Sequence, residues 1–439
     1  MVFKLILKVY IETSGCAVNK FYSEILAGDL REKGLELVDN PEEADIIILN
    51  ACAIKKPTED KMLARAKKLA GYNAKLIISG CLAEANWRRL KKLFPNASII
   101  GIHHMMNLSS LINDILRGET ILLVKEPDEY PELFLRPRIL ENRYIAVVPI
   151  ARGCLGACTY CIDKIIWGSL KSYPIEKIVR EVRRLVQNGV KEIRLSGQDT
   201  GPYGWDLGVT LADLLEEVSQ IPGDFMIRIG MASPDTLMKV IDDVLDIVKE
   251  EKRIYRYFHI PVQSGSNRIL KLMNRKYKAE EFEELVEIIR SRLGDETTIA
   301  TDIISSFPTE TDEDHQDTIE LLKRVKPDIV NLSRYGDRPG VPAAKIYPKV
   351  HSKISKQRTR ELAELIRKIS LEKNLRYLNR KIDVLFLEKR RDGILGRTHN
   401  YRLVAISNTR DDILGKRLTV LVKDVTWKTM YGEIVGETS

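Results

Sequence analysis

The first 118 residues alternate short hydrophobic runs, rich in β-branched residues, with longer amphipathic stretches. The runs predicted to be strands are LILKVYI (5–11), DIIIL (45–49), KLIIS (75–79) and SIIGI (98–102). The stretches predicted to be helices lie near residues 20–33, 57–71, 84–93 and 108–117. Strands that alternate with helices of this length build a parallel sheet. Residues 1–118 are therefore predicted to form a doubly wound parallel sheet.

A second alternating series follows residues 119–142, which contain three prolines and little periodicity and are predicted to be a linker. Its predicted strands are YIAVVPI (144–150), EIRLS (192–196), FMIRIG (225–230), YRYFHI (255–260), TIATDII (298–304) and IVNLS (329–333). Its predicted helices lie near 175–188, 210–219, 234–249, 279–291 and 313–325. Six such units predict a partial or full β/α barrel over residues 143–375, with its chemistry at the carboxyl ends of the strands.

The last part of the chain changes pattern again. Residues 351–380 have the pattern of a long basic helix or helix pair, and short runs of alternating polarity follow, punctuated by Gly and Asn. These runs predict a small antiparallel β-barrel over residues 376–439, of the general kind that binds nucleic acids. The predicted fold class is therefore α/β and multidomain.

Positive charge is concentrated at the C-terminal end. Residues 349–439 hold 21 Lys and Arg against 11 Asp and Glu, whereas residues 1–348 hold 49 against 51. A solvated helix face and a polyanionic partner are both consistent with this excess.

The composition is that of an ordinary globular protein, with 439 residues of which 44% are hydrophobic and 30% charged. No apolar run approaches the roughly 18 residues that span a bilayer. The N-terminal segment MVFKLILKVYIE lacks the small-residue cleavage site of a secretory signal. We therefore expect a cytoplasmic protein with no membrane partner.

Three of the six cysteines are dispersed, but each follows a predicted strand. Cys16, Cys52 and Cys81 come directly after the first, second and third strands. The carboxyl ends of parallel strands meet at one edge of a sheet, where ligands bind. A single cysteine there is adequately explained as a buried hydrophobic residue. Three cysteines that follow three successive strands favour a metal or cluster site.

The other three cysteines form a CxxxCxxC loop after the first barrel strand. Thiolates at Cys154, Cys158 and Cys161 can bind three irons of a 4Fe-4S cluster and leave the fourth iron open for a ligand. A zinc site is the alternative, and it needs a distant fourth ligand such as His259 or His315.

This loop, with Tyr160 before its last cysteine, resembles the signature of the radical S-adenosylmethionine (SAM) superfamily. The segments GCAVNKFYSE (15–24), NACAIKKPTEDK (50–61) and SGCLAEA (79–85) are similar to the cysteine motifs of the methylthiotransferase N-terminal domain. SGQDTGPYGWD (196–206), FHIPVQSGSNRILKLMNRKY (258–277), TDIISSFPTETDED (301–314) and SRYGDRPGVPAAK (333–345) resemble the barrel motifs of that family. GRTHNYRLV (396–404) resembles the RNA-binding TRAM domain. SGQDTGPYG and the GRTxNY segment most resemble the archaeal and eukaryotic branch.

The resemblance implies a tRNA methylthiotransferase that converts N6-threonylcarbamoyladenosine beside the anticodon to its 2-methylthio form. It implies two 4Fe-4S clusters and two SAM molecules per turnover. The catalytic cluster would be held by Cys154, Cys158 and Cys161, and SAM bound to its open iron would yield a 5′-deoxyadenosyl radical. That radical is needed because an aromatic C–H bond has no useful acidity. The second cluster, on Cys16, Cys52 and Cys81, would carry the sulfur.

The implied partners are tRNA, a one-electron donor such as a ferredoxin or flavodoxin, and a sulfur donor, with no DNA. Residues expected to contact the cofactor are Tyr160, Ser196, Gln198, Asp199, Arg228, Gln263, Ser264 and Asp302. Residues expected to contact RNA are Arg397, Tyr401, Arg402, Arg410, Lys416 and Arg417.

Four positions depart from the pattern of the family. Ala157 stands where the family usually has Asn, and Trp167 where it usually has Arg. Ser306 and Thr309 replace glycines, which let a backbone approach a ligand closely or adopt positive φ. We expect the loss of these two glycines to change the local cofactor contact or the fit of the substrate, but not the cluster ligands.

Two competing functions remain open on the sequence. One is an RNA-binding protein whose clusters are structural or redox-sensing. The other is a methylthiotransferase that acts on isopentenyladenosine in tRNA or on a ribosomal protein.

Overall fold

Six parallel strands form the N-terminal sheet of the computed structural model, which describes residues 6–127, 129–407 and 411–437. The strands are β1 (Lys8–Ser14), β2 (Glu36–Leu37), β3 (Ile46–Ala51), β4 (Lys75–Gly80), β5 (Ser98–Gly101) and β6 (Leu122–Leu123). Their order across the sheet is β2-β1-β3-β4-β5-β6. The helices are α1 (Ala17–Glu32), α2 (Lys56–Leu69), α3 (Cys81–Leu93) and α4 (Leu108–Leu116), with 3-10 turns at Pro41–Glu43 and Ile102–Asn107. The predicted doubly wound parallel sheet is confirmed, and its last strand lies inside the segment predicted to be a linker.

A central β/α layer follows, with a short β-ribbon at its first loop. Its strands are β7 (Ile145–Pro149), β8 (Ala151–Arg152), β9 (Lys171–Ser172), β10 (Glu192–Ser196), β11 (Met226–Arg228), β12 (Tyr257–His259), β13 (Thr298–Ser305) and β14 (Ile329–Arg334). Its helices are α5 (Asp163–Trp167), α6 (Ile175–Gln187), α7 (Leu211–Ser219), α8 (Pro234–Leu237), α9 (Ile241–Glu250), α10 (Asn267–Leu272), α11 (Ala279–Leu293), α12 (Asp312–Val325) and α13 (Ser352–Leu375), with a 3-10 turn at Pro342–Lys345.

The six long central strands form a partial barrel. They pair in parallel as β7-β10-β11 and β12-β13-β14, and a single bridge between Ile227 and Ile254 joins the two groups. Within the described ranges no pairing connects β7 with β14, so the barrel is open on that side. A large apolar core fills the space between the strands and their helices. The prediction of a partial TIM-like barrel is confirmed.

The chain ends in a small closed barrel of five strands. They are β15 (Lys381–Arg390), β16 (Gly393–Arg397), β17 (Leu403–Ile406), β18 (Arg417–Val425) and β19 (Met430–Glu437), with a 3-10 turn at Asp411–Ile413. All neighbours pair antiparallel except β17 and β19, which are parallel. Across the described ranges, no helix is both long and apolar enough to cross a membrane.

The small barrel is docked on the amino ends of the central strands. Its Leu385, Leu387 and Tyr401 pack in one buried cluster with the first residues of three central strands, Ile145 of β7, Met226 of β11 and Tyr257 of β12. The carboxyl ends of those strands, where the CxxxCxxC loop begins, lie at the opposite end of the layer. The small barrel and the cysteine loop are therefore separated by the length of the central strands.

Buried ion pairs fix the N-terminal sheet against the central layer. Arg138, in the connecting segment, donates to Glu24 of α1 at 2.6 Å and to Glu181 of α6 at 3.2 Å. All three side chains are nearly inaccessible to solvent. Trp167 adds a packed contact, since its ring lies 6.1 Å from that of Tyr22 and 5.7 Å from that of His103. Trp167 therefore packs between the two layers.

Two of the four departures from the family pattern occupy strained backbone. Ser306 has φ 62° and Thr309 has φ 69°, in the left-handed region where glycine is favoured. Thr309 is β-branched, which makes that conformation especially unfavourable.

Thr309→Gly is therefore expected to stabilise the chain by about 1 kcal/mol, because the strain removed exceeds the entropy that glycine adds to the unfolded state. The measurement is the midpoint of thermal unfolding. Thr311→Gly is the matched control, since Thr311 caps α12 with its side chain and its loss should lower the midpoint. A lower midpoint for Thr309→Gly would contradict the assignment of strain.

Candidate iron–sulfur and RNA site

The three N-terminal cysteines lie where their strands end. Cys16 is the N-cap of α1, just after β1; Cys52 follows β3; and Cys81 is the first residue of α3, just after β4. Gly80 makes the last junction possible, because its φ is 85° and a Cβ there would lie 2.2 Å from Oδ1 of Asn50. Parallel strands that are neighbours in the sheet thus bring the three thiols to one edge.

Two buried asparagine side chains, those of Asn19 and Asn50, form hydrogen bonds at this edge of the sheet. The thiol of Cys81 lies 3.5 Å from Oδ1 of Asn19, and Nδ2 of Asn50 donates to the carbonyl of Asn19 at 2.8 Å. Nδ2 of Asn50 also donates to the hydroxyl of Ser23 at 2.8 Å. Asn19 and Asn50 are fully buried, so these bonds fix the position of α1 against β3 and β4.

The CxxxCxxC loop is folded so that the thiols of Cys154 and Cys158 both lie close to Gly156. The amide of Gly156 donates to Sγ of Cys154 at 3.2 Å. A Cβ on Gly156 would lie 3.3 Å from Sγ of Cys154 and 3.7 Å from Sγ of Cys158. Thr159 anchors the loop to the end of α10, because its amide donates to Met273 O at 3.0 Å.

A partly buried arginine contacts the middle thiol of this loop. Nη1 of Arg275 donates to Sγ of Cys158 at 2.9 Å, and Nη2 donates to the hydroxyl of Ser233 at 2.7 Å. Nε donates to the hydroxyl of Tyr277 at 2.8 Å. A guanidinium fixed in this way stabilises negative charge on Cys158.

One carboxylate interacts with both sets of thiols. Oδ2 of Asp163, the first residue of α5, lies 3.5 Å from Sγ of Cys161. Burial raises the pKa of Asp163 to about 6. Burial raises the pKa of most of the thiols, and the charge of Asp163 raises each of these further: Cys16, Cys52, Cys81, Cys154 and Cys161. Because the effect of a charge falls with distance, Asp163 lies within electrostatic range of thiols from both sets.

The number of thiols in each set matches what an incompletely ligated 4Fe-4S cluster needs. Each set offers three thiols, which suits three irons of a 4Fe-4S cluster with one iron left open. Among the residues that the structure describes, no three His, Cys, Asp or Glu side chains are grouped around a point where one ion would bind. The histidines considered for zinc are occupied elsewhere, His259 by Asp302 at 3.2 Å and His315 by Glu361 at 2.9 Å.

Several residues expected to contact the cofactor lie on the rim near this loop. Gln198 has a buried Oε1 with no hydrogen-bond partner among the described residues, which fits a donor group of a bound ligand. Gln263 adopts φ 73° and bridges β13, and Asp302 of β13 accepts from Asn331 at 2.8 Å. Ser196 ends β10, and Tyr160 packs edge-on against Phe307 with ring centroids 6.5 Å apart. Their contact with SAM stays a prediction.

Three other residues expected at the cofactor have different partners. Asp199 accepts hydrogen bonds from the amides of Gly201 and Ser233 at 3.2 and 3.0 Å, so it braces its loop. Ser264 is buried, and its hydroxyl lies 3.4 Å from that of Thr318 on α12. Arg228 stacks on Tyr257 and Tyr401, toward the end of the strands that the small barrel covers. Intramolecular partners therefore hold the side chains of Asp199, Ser264 and Arg228, and their contact with the cofactor also stays a prediction.

Comparison with known proteins identifies the layers. The sequence model of the radical SAM superfamily matches residues 148–322, that of uncharacterized protein family UPF0004 matches residues 8–101, and that of the TRAM domain matches residues 375–435. The chain is 39% identical over 432 residues to the probable threonylcarbamoyladenosine tRNA methylthiotransferase of Pyrococcus horikoshii, covering 98% of this chain and 99% of the relative. The chain belongs to the radical SAM methylthiotransferase family.

More distant similarities agree with this family. The tRNA-2-methylthio-N(6)-dimethylallyladenosine synthase of Petrotoga mobilis is 34% identical, covering 98% of this chain and 99% of the relative. In structure, a radical S-adenosylmethionine methyltransferase from Kitasatospora setae, solved with cobalamin and a 4Fe-4S cluster bound, superposes with TM-score 0.55. The match covers 77% of each chain at 12% identity, so it supports the fold alone.

Two of the residues expected to contact RNA, Tyr401 and Arg402, lie where the TRAM barrel docks on the central layer. Tyr401 is buried, and its hydroxyl donates to Glu192 of β10 at 3.3 Å. Arg402 is buried in an ion pair with Asp328 and donates to Asn374 at 2.7 Å. Residues 397–402 therefore form the loop that docks the TRAM barrel on the central layer, and RNA contact by Tyr401 and Arg402 stays a prediction.

The other four residues expected to contact RNA differ in where they lie. Arg397 stacks on Tyr401 at 4.5 Å, and Nη2 of Arg417 lies 3.3 Å from Sδ of Met226, so both lie at the edge of the docking surface. Lys416 is exposed, and its RNA contact stays a prediction. Arg410 lies outside the described residues.

Sequence reasoning missed Arg275, Asp163 and Asn19 as residues of the methylthiotransferase site. Arg275 stands within a segment that resembles a family motif, and Asp163 stands two residues after Cys161. Nothing in their spacing shows that one contacts Cys158 and the other interacts with both sets of thiols.

Arg275→Gln is expected to lower the reduction potential of a cluster held by the CxxxCxxC loop. Hydrogen bonds and positive charge at the sulfurs favour the reduced, more negative state. A redox titration followed by electron paramagnetic resonance measures the midpoint. Arg268→Gln is the control, because Arg268 pairs with Asp314 and contacts no thiol. Equal midpoints for both variants and the parent chain would contradict the role of Arg275.

Proposed function

We propose that the chain transfers a methylthio group to C2 of N6-threonylcarbamoyladenosine beside the anticodon of tRNA. The observation that carries the proposal is that Cys16, Cys52 and Cys81 follow neighbouring parallel strands at one sheet edge, while Asp163, beside Cys161 of the CxxxCxxC loop, lies within electrostatic range of them. The identity of 39% over nearly the whole length to a protein of that name supports the substrate. Because tRNA is the substrate, we also propose that the protein acts in the cytoplasm.

The thiols of Cys154, Cys158 and Cys161 would hold one 4Fe-4S cluster, and those of Cys16, Cys52 and Cys81 would hold the other. When bound, the first cluster supplies the electron that cleaves SAM, and the second provides the site for the sulfur. A one-electron donor such as a ferredoxin or flavodoxin and a separate sulfur donor complete the proposed set of partners.

The residues of the chain itself would position and insulate these groups. Arg275 would hold the Cys158 thiolate, and the unpartnered Oε1 of Gln198 would accept a hydrogen bond from SAM. The buried amides of Asn19 and Asn50 would fix the N-terminal thiols relative to α1. The base would bind between the two sets of thiols, so that both reacting groups act on one bound substrate.

Mass spectrometry of tRNA nucleosides tests the proposal. The chain is expressed in a host that makes N6-threonylcarbamoyladenosine but lacks its methylthio form. We expect the 2-methylthio derivative to appear with the parent chain and to be absent with Cys158→Ala. Methylthiolation of isopentenyladenosine instead would contradict the substrate, and unmodified tRNA from a chain with both clusters would contradict the activity.

A further inference from the structure

The two ends of the molecule that RNA is expected to meet lie far apart. The TRAM barrel covers the amino ends of the central strands, and the cysteines lie at the carboxyl ends. An RNA that contacts both ends must therefore pass along the outer wall of the central layer. The inference that follows rests on the proposed function, because it concerns the path of the tRNA substrate.

Helix α13 spans this wall from one end to the other. Just before its start, Pro348 accepts a hydrogen bond from the amide of Thr309, on the loop that follows the carboxyl end of β13. Near its end, Asn374 donates to the carbonyl of Thr426 in the TRAM barrel at 2.8 Å. Its 24 residues extend over roughly 36 Å at 1.5 Å per residue. The helix thus connects the rim with the TRAM barrel.

A basic groove runs along this helix. It has a volume of about 470 Å³. Its lining comprises four cationic side chains with two small residues between them: Arg334, Lys356, Thr359, Arg360, Ala363 and Arg367. Residues 356, 360, 363 and 367 recur at helical spacing and therefore share one face of α13.

The cations of the groove have no acidic partners among the described residues. In the part of the chain that the structure describes, no ion pair within 4.0 Å involves Arg334, Lys356, Arg360 or Arg367. Their neighbour Arg358, on another face of the same helix, is paired with both Glu310 and Asp312. Four uncompensated charges in one groove repel each other, and a polyanion would relieve that repulsion.

Both ends of the groove lead to functional parts of the molecule. Arg334 ends β14 beside Ser333, whose hydroxyl accepts from Nζ of Lys55 at 2.7 Å, three residues after Cys52. At the other end Arg367 lies 5.8 Å from the ring of Trp427, which is 37% exposed and belongs to the TRAM barrel.

We propose that the α13 groove, made by Arg334, Lys356, Arg360 and Arg367, binds the sugar–phosphate backbone of tRNA between the TRAM barrel and the rim. Arginines and lysines in a row follow a backbone of regularly spaced phosphates. Trp427 lies between Arg367 and Lys428, whose Nζ is 4.4 Å from the ring, and it offers an exposed surface for an unpaired base. This aromatic surface favours RNA over an acidic protein.

The test compares Arg360→Gln/Arg367→Gln with the charge-matched control Arg183→Gln/Lys368→Gln. Arg183 and Lys368 are exposed and lie outside the groove. Binding of unmodified full-length tRNA is measured by fluorescence anisotropy at several salt concentrations. We expect the groove variant to bind at least tenfold more weakly and to reduce the slope of log K against log salt by about 1.5, because two phosphate contacts are lost. The control should match the parent chain.

The outcomes separate this inference from the proposed function. Reductive cleavage of SAM without tRNA should be equal in the parent and the groove variant, since the groove is outside the thiol site. If the parent chain modifies tRNA and the groove variant binds tRNA with unchanged affinity and salt slope, the groove is not the path of the RNA. If the variant instead keeps tRNA affinity but needs more reduced electron carrier, the groove binds an acidic protein and the inference is overturned. If the parent chain neither binds nor modifies tRNA, the proposed function itself fails.

Discussion

Alanine in place of Cys158 is expected to abolish the reductive cleavage of SAM and to lower the bound iron from about eight to about four per chain. Cys158 is the thiol contacted by Arg275, and its loss leaves two thiols on the CxxxCxxC loop. Formation of 5′-deoxyadenosine under dithionite, together with iron analysis after anaerobic reconstitution, measures the effect. Methylthiolation of tRNA should fall below detection.

Cys52→Ala is the matched control from the other set of thiols. It should also lower the iron content by about half, but SAM cleavage should continue, because the CxxxCxxC loop is intact. Methylthiolation should again be lost. The division of roles between the two sets is wrong if Cys52→Ala abolishes SAM cleavage or if Cys158→Ala leaves it unchanged.

Arg402→Met is expected to release the docking loop, residues 397–402, by breaking a buried ion pair. The side chains of Arg402 and Asp328 are 7% and 1% exposed, so the variant leaves a buried carboxylate with weaker compensation. Breaking such a pair costs about 3 kcal/mol, or roughly 100-fold in a local opening equilibrium. Hydrogen exchange at the amides of Tyr401 and Arg402, which bond to Thr398, should accelerate by that factor.

The control is Arg391→Met, which removes an exposed charge from the turn between β15 and β16. Its exchange rates at Tyr401 and Arg402 should match those of the parent chain. The sequence-based expectation for Arg402 gives a different result, because an RNA contact at the surface can be removed without changing hydrogen exchange. If Arg402→Met leaves hydrogen exchange unchanged but greatly weakens tRNA binding, the result supports direct contact between Arg402 and RNA.

The order and type of the main elements could be predicted because strands and helices have different hydrophobic periods. The run DIIIL at 45–49, for example, is continuous because β3 is buried on both sides of a parallel sheet. The two-residue strands β2 and β6 could not be predicted, since they are too short to carry a period. The strand β6 in particular falls among prolines and depends on pairing with β5.

The positions of Cys16, Cys52 and Cys81 at one sheet edge could be predicted because each follows a strand, where topology decides position. The partners of the charged residues could not be predicted from the sequence. Arg402, for instance, stands in a basic C-terminal segment, and only the tertiary structure shows that Asp328, 74 residues away, neutralises it. The same limit applies to Arg275 and Cys158, which are 117 residues apart.

The family pattern has glycine at positions 306 and 309, and Ser306 and Thr309 both have the positive φ that glycine favours. The sequence could not show what else holds these residues. Ser306 is buried, and its amide donates to Glu310 at 2.9 Å, so the turn is fixed from within. These two departures therefore place residues other than glycine in strained backbone, and the expectation that the cluster ligands are unaffected stays a prediction.

The central claim is that two sets of three thiols each hold an incompletely ligated 4Fe-4S cluster on one shared cavity. The most direct measurement is the iron and sulfide content of the parent chain after anaerobic reconstitution, beside a chain in which Cys16, Cys52 and Cys81 are all replaced by Ala. The account predicts about eight irons and about eight sulfides for the parent and about four of each for the triple variant. About four irons in the parent, or equal content in both chains, would contradict it.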